Sequence, residues 1–235
     1  MKIRRNLMKH IVLLGDSIFD NCSYVNPGEL DVPNQLRSLV GHNSKVTNLA
    51  VDGHVISNMK NQLNNLPLDV THLFVSVGGN DGLGHLSVFH NTVTTIGKAL
   101  QQMYHIGDRF RKNYSEMLDL VLSYNLPSTF CSIYYPRFDA RSLDRVQDYM
   151  SVLSNGREIQ EMVMAAETIF NDAISYEVFK RKLQLIDLRV LCDNDEDFAN
   201  PIEPSSIGGL KIAKTINKIA NMHQNNNINS SEVFV

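Results

Sequence analysis

Short runs of strand formers alternate with helical stripes along the whole chain, and no two runs are joined by a hairpin-length turn. That order constrains the fold more than any other feature. Strands connected only through helices must lie parallel in one sheet, with right-handed crossovers placing helices on both faces. The runs are Ile11–Leu14, Lys45–Val51, His72–Val77, Thr129–Tyr134 and Leu183–Leu188. Each is short, apolar and bounded by turn residues, as befits strands buried on both faces.

Between them lie apolar stripes at helical spacing. Asp31 caps a helix with Val32, Leu36, Leu39 and Val40 on one face, stopped by Gly41. Val55, Ile56, Met59, Leu63 and Leu66 make a second stripe. Val93, Ile96, Leu100, Met103 and Tyr104 mark a third helix, and Tyr114, Met117, Leu118, Val121 and Leu122 a fourth. Ile159 to Ile174 and Leu210 to Ile219 supply two more, the last capped by Ser205. The expectation is a single domain over 1–222, a three-layer α/β/α sandwich around a parallel five-stranded sheet. From 223 to 235 the chain turns to Asn and Ser and reads as a frayed tail.

The strand ends carry the chemistry. Gly15-Asp16-Ser17 follows the first strand, Asp52-Gly53 the second, Gly79-Asn80-Asp81 the third, and Asn200 to Ser205 the fifth. All four loops fall at the C-terminal edge of the sheet, where open α/β folds bind ligands. A serine, a glycine N–H and an asparagine amide are the parts of an acyl-transfer site, nucleophile and oxyanion donors together. The plainer reading of Asp16 or Ser17 alone is a helix cap.

In these blocks the chain resembles the SGNH or GDSL-type hydrolases, serine esterases and lipases of flavodoxin-like fold. Gly15-Asp16-Ser17 matches the nucleophile block, Gly53 the second and Gly79-Asn80-Asp81 the third. Pro204-Ser205-Ser206-Ile207-Gly208 with Ile212-Ala213 matches the fourth. The resemblance implies an ester hydrolase that works through an acyl-enzyme on Ser17, with Gly53 and Asn80 holding the oxyanion. Its substrate would be a small-molecule ester. The alternative is a degenerate member that binds an acyl or glycan ligand without cleaving it.

The fourth block departs from the family. Where Asp-x-x-His-Pro-Ser is usual, this chain reads Asn200-Pro201-Ile202-Glu203-Pro204-Ser205, so both charged partners of the serine are changed. Three bases are open: Glu203 in the place of the histidine, His54 beside the oxyanion glycine, and His85 after Asn80. A carboxylate serves only if burial raises its pKa. An Asn200 amide would then donate to Glu203. Tyr134, Tyr135, Arg137 and Phe138 follow the fourth strand at the same edge and are expected to shape the pocket.

Other readings fail on the residues. Gly78 to Gly84 lacks the Lys-Ser/Thr of a phosphate loop, and Asp81 occupies a glycine that dinucleotide binding requires. A net charge of −3 gives no reason to expect nucleic acid, and no run approaches a membrane span. No metal and no cofactor are expected, because Cys22, Cys131 and Cys192 are far apart and no ligand cluster appears. The odd cysteine count suits a reducing compartment. The basic start, Lys2 to Lys9, precedes an apolar stretch too short for a signal peptide. A cytoplasmic protein is therefore expected.

Overall fold

The computed structural model describes residues 8–42, 44–138, 156–222 and 231–235. The sheet has six parallel strands in the order β2-β1-β3-β4-β5-β8. They are β1 (Lys9–Gly15), β2 (Ser44–Asn48), β3 (His72–Ser76), β4 (Ser128–Cys131), β5 (Gln184–Ile186) and β8 (Val233–Phe234). A separate antiparallel pair, β6 (Phe198–Asn200) and β7 (Glu203–Pro204), lies outside the sheet. The sixth strand corrects the five expected. Leu185 and Ile186 pair with Val233 and Phe234, and buried Phe234 joins the core, so the last residues do not fray. The expectation for 223–230 lies outside the described residues, as do the basic start and the segment 139–155.

The helices are α1 (Val32–Val40), α2 (Met59–Leu63), α3 (Gly79–Leu83), α4 (Ile96–Leu122), α5 (Gly156–Lys180), α6 (Leu188–Leu191) and α7 (Ser206–Met222). Strand side chains alternate between two apolar layers. Val12 and Leu14 with Leu73 and Val75 meet α2, α4 and α5. Ile11, Leu13 and Phe74 meet α1 and α7. Asp31 caps α1 as expected, accepting from Asn34 N at 2.9 Å. Ser205 Oγ accepts from Ile207 N and Gly208 N at the start of α7, at 3.1 and 3.3 Å.

One expectation fails in α4. Two stripes suggested two helices, but a single helix of 27 residues runs through both. The intervening Gly107 is no stop: a Cβ there would lie 2.3 Å from Ile169 Cγ2, so the glycine lets α4 and α5 approach. The stripe at Ile96, Leu100 and Tyr104 is also not core. Those residues are 81%, 64% and 65% exposed, and burial begins only at Ile106.

The positioning contact is at the end of β1. Gly15 has φ +128°, and a Cβ would fall 1.8 Å from the Ser76 carbonyl oxygen. Gly41 also has positive φ but faces open space. Gly15→Ala should therefore cost about 3 kcal/mol or more, summing steric clash and backbone strain. Gly41→Ala, with backbone strain but no clash, should cost less, about 1–3 kcal/mol. Urea melts of the two variants test the contrast, and equal losses would refute it.

Candidate active site

The Asp16-Ser17 turn is built on the Gly15 contact. Asp16 N donates to Ser76 O at 3.0 Å, and the Asp16 carbonyl accepts from Phe19 N and Asp20 N at 3.1 Å. Gln62 grips Gly15 from below, accepting from its N–H and donating to its carbonyl, each at 2.7 Å. Ser17 is thereby set at the strand's C-terminal end, 7% exposed, on the wall of a cavity. Asp16, Asn80, His85, Glu167 and Glu203 line the same cavity, among apolar side chains from α3, α4, α5 and the loop after β4.

Glu203 is carried by the β6–β7 pair and held from three sides. The Tyr134 hydroxyl donates to Ile202 O. Arg137 N donates to Pro201 O at 2.9 Å, and Asn21 Nδ2 donates to Pro204 O at 3.2 Å. Asn21 Oδ1 also accepts from Val32 N at 2.9 Å, so one side chain ties the segment after Ser17, α1 and the Glu203 hairpin together. The Glu203 carboxyl is buried, and its Oε2 has no hydrogen-bond partner among the described residues. Burial pushes its pKa up to about 8; the neighbouring Ser17 hydroxyl pulls the other way, and the charges of Asp52 and Asp16 add to the rise.

Asn80 sits in α3, its Nδ2 donating to the His54 carbonyl at 3.0 Å. That bond fixes the amide while leaving a second hydrogen for a ligand. Asp81 Oδ2 accepts from Ile56 N at 3.0 Å, and burial lifts its pKa to about 6. Gly53 has φ +78° and an exposed position, and it is not part of the cavity wall. Its loop is nonetheless tied to the site. Asp52 N donates to Asp20 Oδ2 at 3.0 Å, and His54 O receives Asn80.

The structure thus brings Ser17, Asn80 and Glu203 to one cavity and leaves Gly53 beside it. Of the two histidines, His85 lines the cavity and His54 does not. The His54 ring is occupied elsewhere: Gln62 Nε2, oriented by its two bonds to Gly15, approaches Nδ1 at 2.8 Å. Tyr134 and Phe138 line the pocket as expected, with Pro136, but Tyr135 and Arg137 do not. Arg137 instead pairs with Asp195 and stacks over Phe198. Asn200 does not donate to Glu203. Its Oδ1 accepts from Ile202 N at 2.9 Å, closing the turn between β6 and β7.

Two contributors were missed from the sequence. Asn21 read as the start of a loop, and its role in tying three elements together needs tertiary neighbours. Glu167 was findable, because it lies four residues after Val163 and three before Phe170, on the inward stripe of α5. Among the described residues, no cluster of His, Cys, Asp or Glu is arranged to hold a metal ion. Nor, among the described residues, is any helix long and apolar enough to cross a membrane.

No family model and no curated protein matches the sequence. Solved structures do. An extracellular lipase from Streptomyces rimosus is 14% identical, over 89% of this chain and 99% of that one, with a TM-score of 0.61. Phospholipase A1 from Streptomyces albidoflavus NA297 is 15% identical over 90% and 99% of the two chains, again at 0.61. A G-D-S-L family protein from Desulfitobacterium hafniense DCB-2 is 12% identical over 90% and 99%, at 0.59. At such identities the likeness is one of fold: the chain has the GDSL/SGNH hydrolase fold.

The buried carboxyls have a thermodynamic signature. Burial raises Asp81 to about 6, Asp16 to about 7, Glu203 to about 8 and Glu167 to about 9. Unfolded carboxyls lose their protons near pH 4. Above that pH the folded chain binds more protons than the unfolded one, so stability falls as pH rises from about 4.5 to 9. Urea melts across this window should show the decline, and Glu167→Gln should make it shallower between pH 7 and 9. A stability that climbs over the same range would contradict the burial of these groups.

Proposed function

We propose that this protein is an ester hydrolase that works through an acyl-enzyme on Ser17. The observation that carries the reading is the Ser17 hydroxyl beside a desolvated Glu203, on the wall of one mainly apolar cavity. Ser17 Oγ attacks the ester carbonyl carbon while its proton passes to the Glu203 carboxylate. The developing oxyanion is met by the second Asn80 amide hydrogen. Gly53 N–H, from the loop whose His54 carbonyl holds Asn80, is the second donor. Glu203 returns the proton to the departing alcohol, and water then cleaves the acyl-serine by the same steps in reverse order.

A carboxylate near its ordinary pKa is a poor match for a serine hydroxyl. Burial changes that, because a pKa of about 8 makes the ionised Glu203 a far stronger proton acceptor. The consequence is that at neutral pH much of Glu203 holds a proton and cannot act as base. The lipases and phospholipase of the same fold support ester chemistry in general, and the apolar wall suits an acyl chain. A soluble, cytoplasmic protein acting on a small-molecule ester remains our reading of its setting.

The rate should therefore rise with pH through about 8, as Glu203 ionises. Ser17→Ala should abolish hydrolysis of short 4-nitrophenyl esters and labelling by a fluorophosphonate. Glu203→Gln should lower the rate about 10²–10⁴-fold, while His54→Ala and His85→Ala cost much less. If Glu203→Gln retains full activity and a histidine variant is dead, that histidine is the base. If the wild-type protein neither labels nor turns over at any pH, the binding-only alternative replaces the enzyme.

A further inference from the structure

Glu167 has no part in the chemistry above, yet it lies on the wall of the same cavity. Its side chain is only 7% exposed. Oε1 receives one long contact, 3.5 Å from Asn171 Nδ2, and Oε2 has no hydrogen-bond partner among the described residues. Asn171 itself is spent on the Ile133 backbone, accepting from its N–H and donating to its carbonyl at 2.8 Å. The guanidinium that favours the Glu167 charge, Arg189, is already held by Asp187 at 2.6 and 2.8 Å. A carboxyl buried without donors carries a cost that a ligand can relieve.

The surroundings decide which ligand. Among the described residues, the ionisable side chains on the cavity wall are Asp16, Glu167, Glu203, His85 and the Tyr134 phenol, with no Lys or Arg. Three carboxyls and no cation on the described wall give an anionic ligand no partner charge, and each carboxyl that ionises repels it. A neutral ester has acceptors only and offers the ionised Glu167 no donor. A protonated amine would donate an N–H to the carboxylate and supply the charge that its burial lacks. The aromatic faces of Phe89, Phe138 and Phe170 on the same wall suit a cation and its alkyl substituents.

We infer that the cavity selects esters carrying a protonated amine, with Glu167 as the residue that binds the ammonium group. The inference rests on the ester-hydrolase reading for its reaction, but the ligand class is testable without turnover.

The test uses isosteric pairs that differ only in N⁺–H against C–H. On the alcohol side they are S-(2-dimethylaminoethyl) thioacetate and S-(3-methylbutyl) thioacetate. On the acyl side they are the 4-nitrophenyl esters of 6-(dimethylamino)hexanoate and 7-methyloctanoate. One pair should show kcat/KM about 10–100-fold higher for the amine, the worth of one charge-assisted hydrogen bond. Glu167→Gln should bring the amine-to-neutral ratio of that pair to about one, the ratio being read within the variant itself. Saturation-transfer NMR on Ser17→Ala with 2-dimethylaminoethyl acetate and 3-methylbutyl acetate reads binding alone. Selective binding of the amine without turnover in the wild type would uphold the ligand class and sink the enzyme. Turnover with no amine preference in either pair, or a preference that survives Glu167→Gln, would sink the inference and leave the enzyme.

Discussion

The close passage of Gly15 under the Ser76 carbonyl is the constraint on which the site depends. β1 and β3 are neighbours in register from Ile11 opposite His72 to Gly15 opposite Ser76. At that last pair the backbone leaves the sheet with a positive φ, and no side chain fits in the bend. The turn that follows is fixed by backbone bonds to Ser76 and by the Gln62 amide, so Ser17 has little freedom left. Gln62 also reaches His54, and His54 O reaches Asn80. One side chain from α2 thus couples the Ser17 turn to the amide that lines the same cavity. Precision here comes from polar contacts buried beneath an otherwise apolar sheet edge.

That burial sets the electrostatics. Asp16, Asp81, Glu167 and Glu203 cluster where the low dielectric disfavours every one of their charges. A cluster of this kind costs stability at neutral pH and is kept only where the groups have work to do. By contrast Asp69, exposed and paired with Lys45 and His10, is pulled down to about 2. The difference between the two behaviours follows from water and neighbours, since the carboxyl chemistry is the same.

The layers and strand ends were legible in the sequence because they follow from periodicity and turn chemistry. Ile11–Leu14 and His72–Val77 read as buried strands, and both are. What the period could not show was how far a helix extends past the body it packs on. Ile96 and Leu100 continue the apolar stripe of α4 but overhang the core. Nor could it show the last strand, since two residues carry no period and Val233–Phe234 is held by pairing with β5 and by the burial of Phe234. At the site, Ser17, Asn80 and Glu203 were legible as strand-end loops. Asn21 and the Tyr134 hydroxyl were not, because each acts on backbone far away in the chain.

The paired changes at Asn200 and Glu203 make joint sense in these terms. The two residues face each other across the β6–β7 pair. With a histidine at 203, an aspartate partner would orient the ring and offset its positive charge. With a carboxyl at 203, an aspartate opposite would be a second negative group in the same buried corner. It would push the Glu203 pKa above about 8, where Asp52 and Asp16 already contribute to the rise. A neutral amide avoids that repulsion. It also serves locally, because Asn200 Oδ1 takes the Ile202 N–H and shapes the turn that presents Glu203. Orientation of the carboxyl then passes to the backbone straps from Tyr134, Arg137 and Asn21. An amide at 200 thus spares Glu203 a further buried negative charge while the straps hold it beside Ser17.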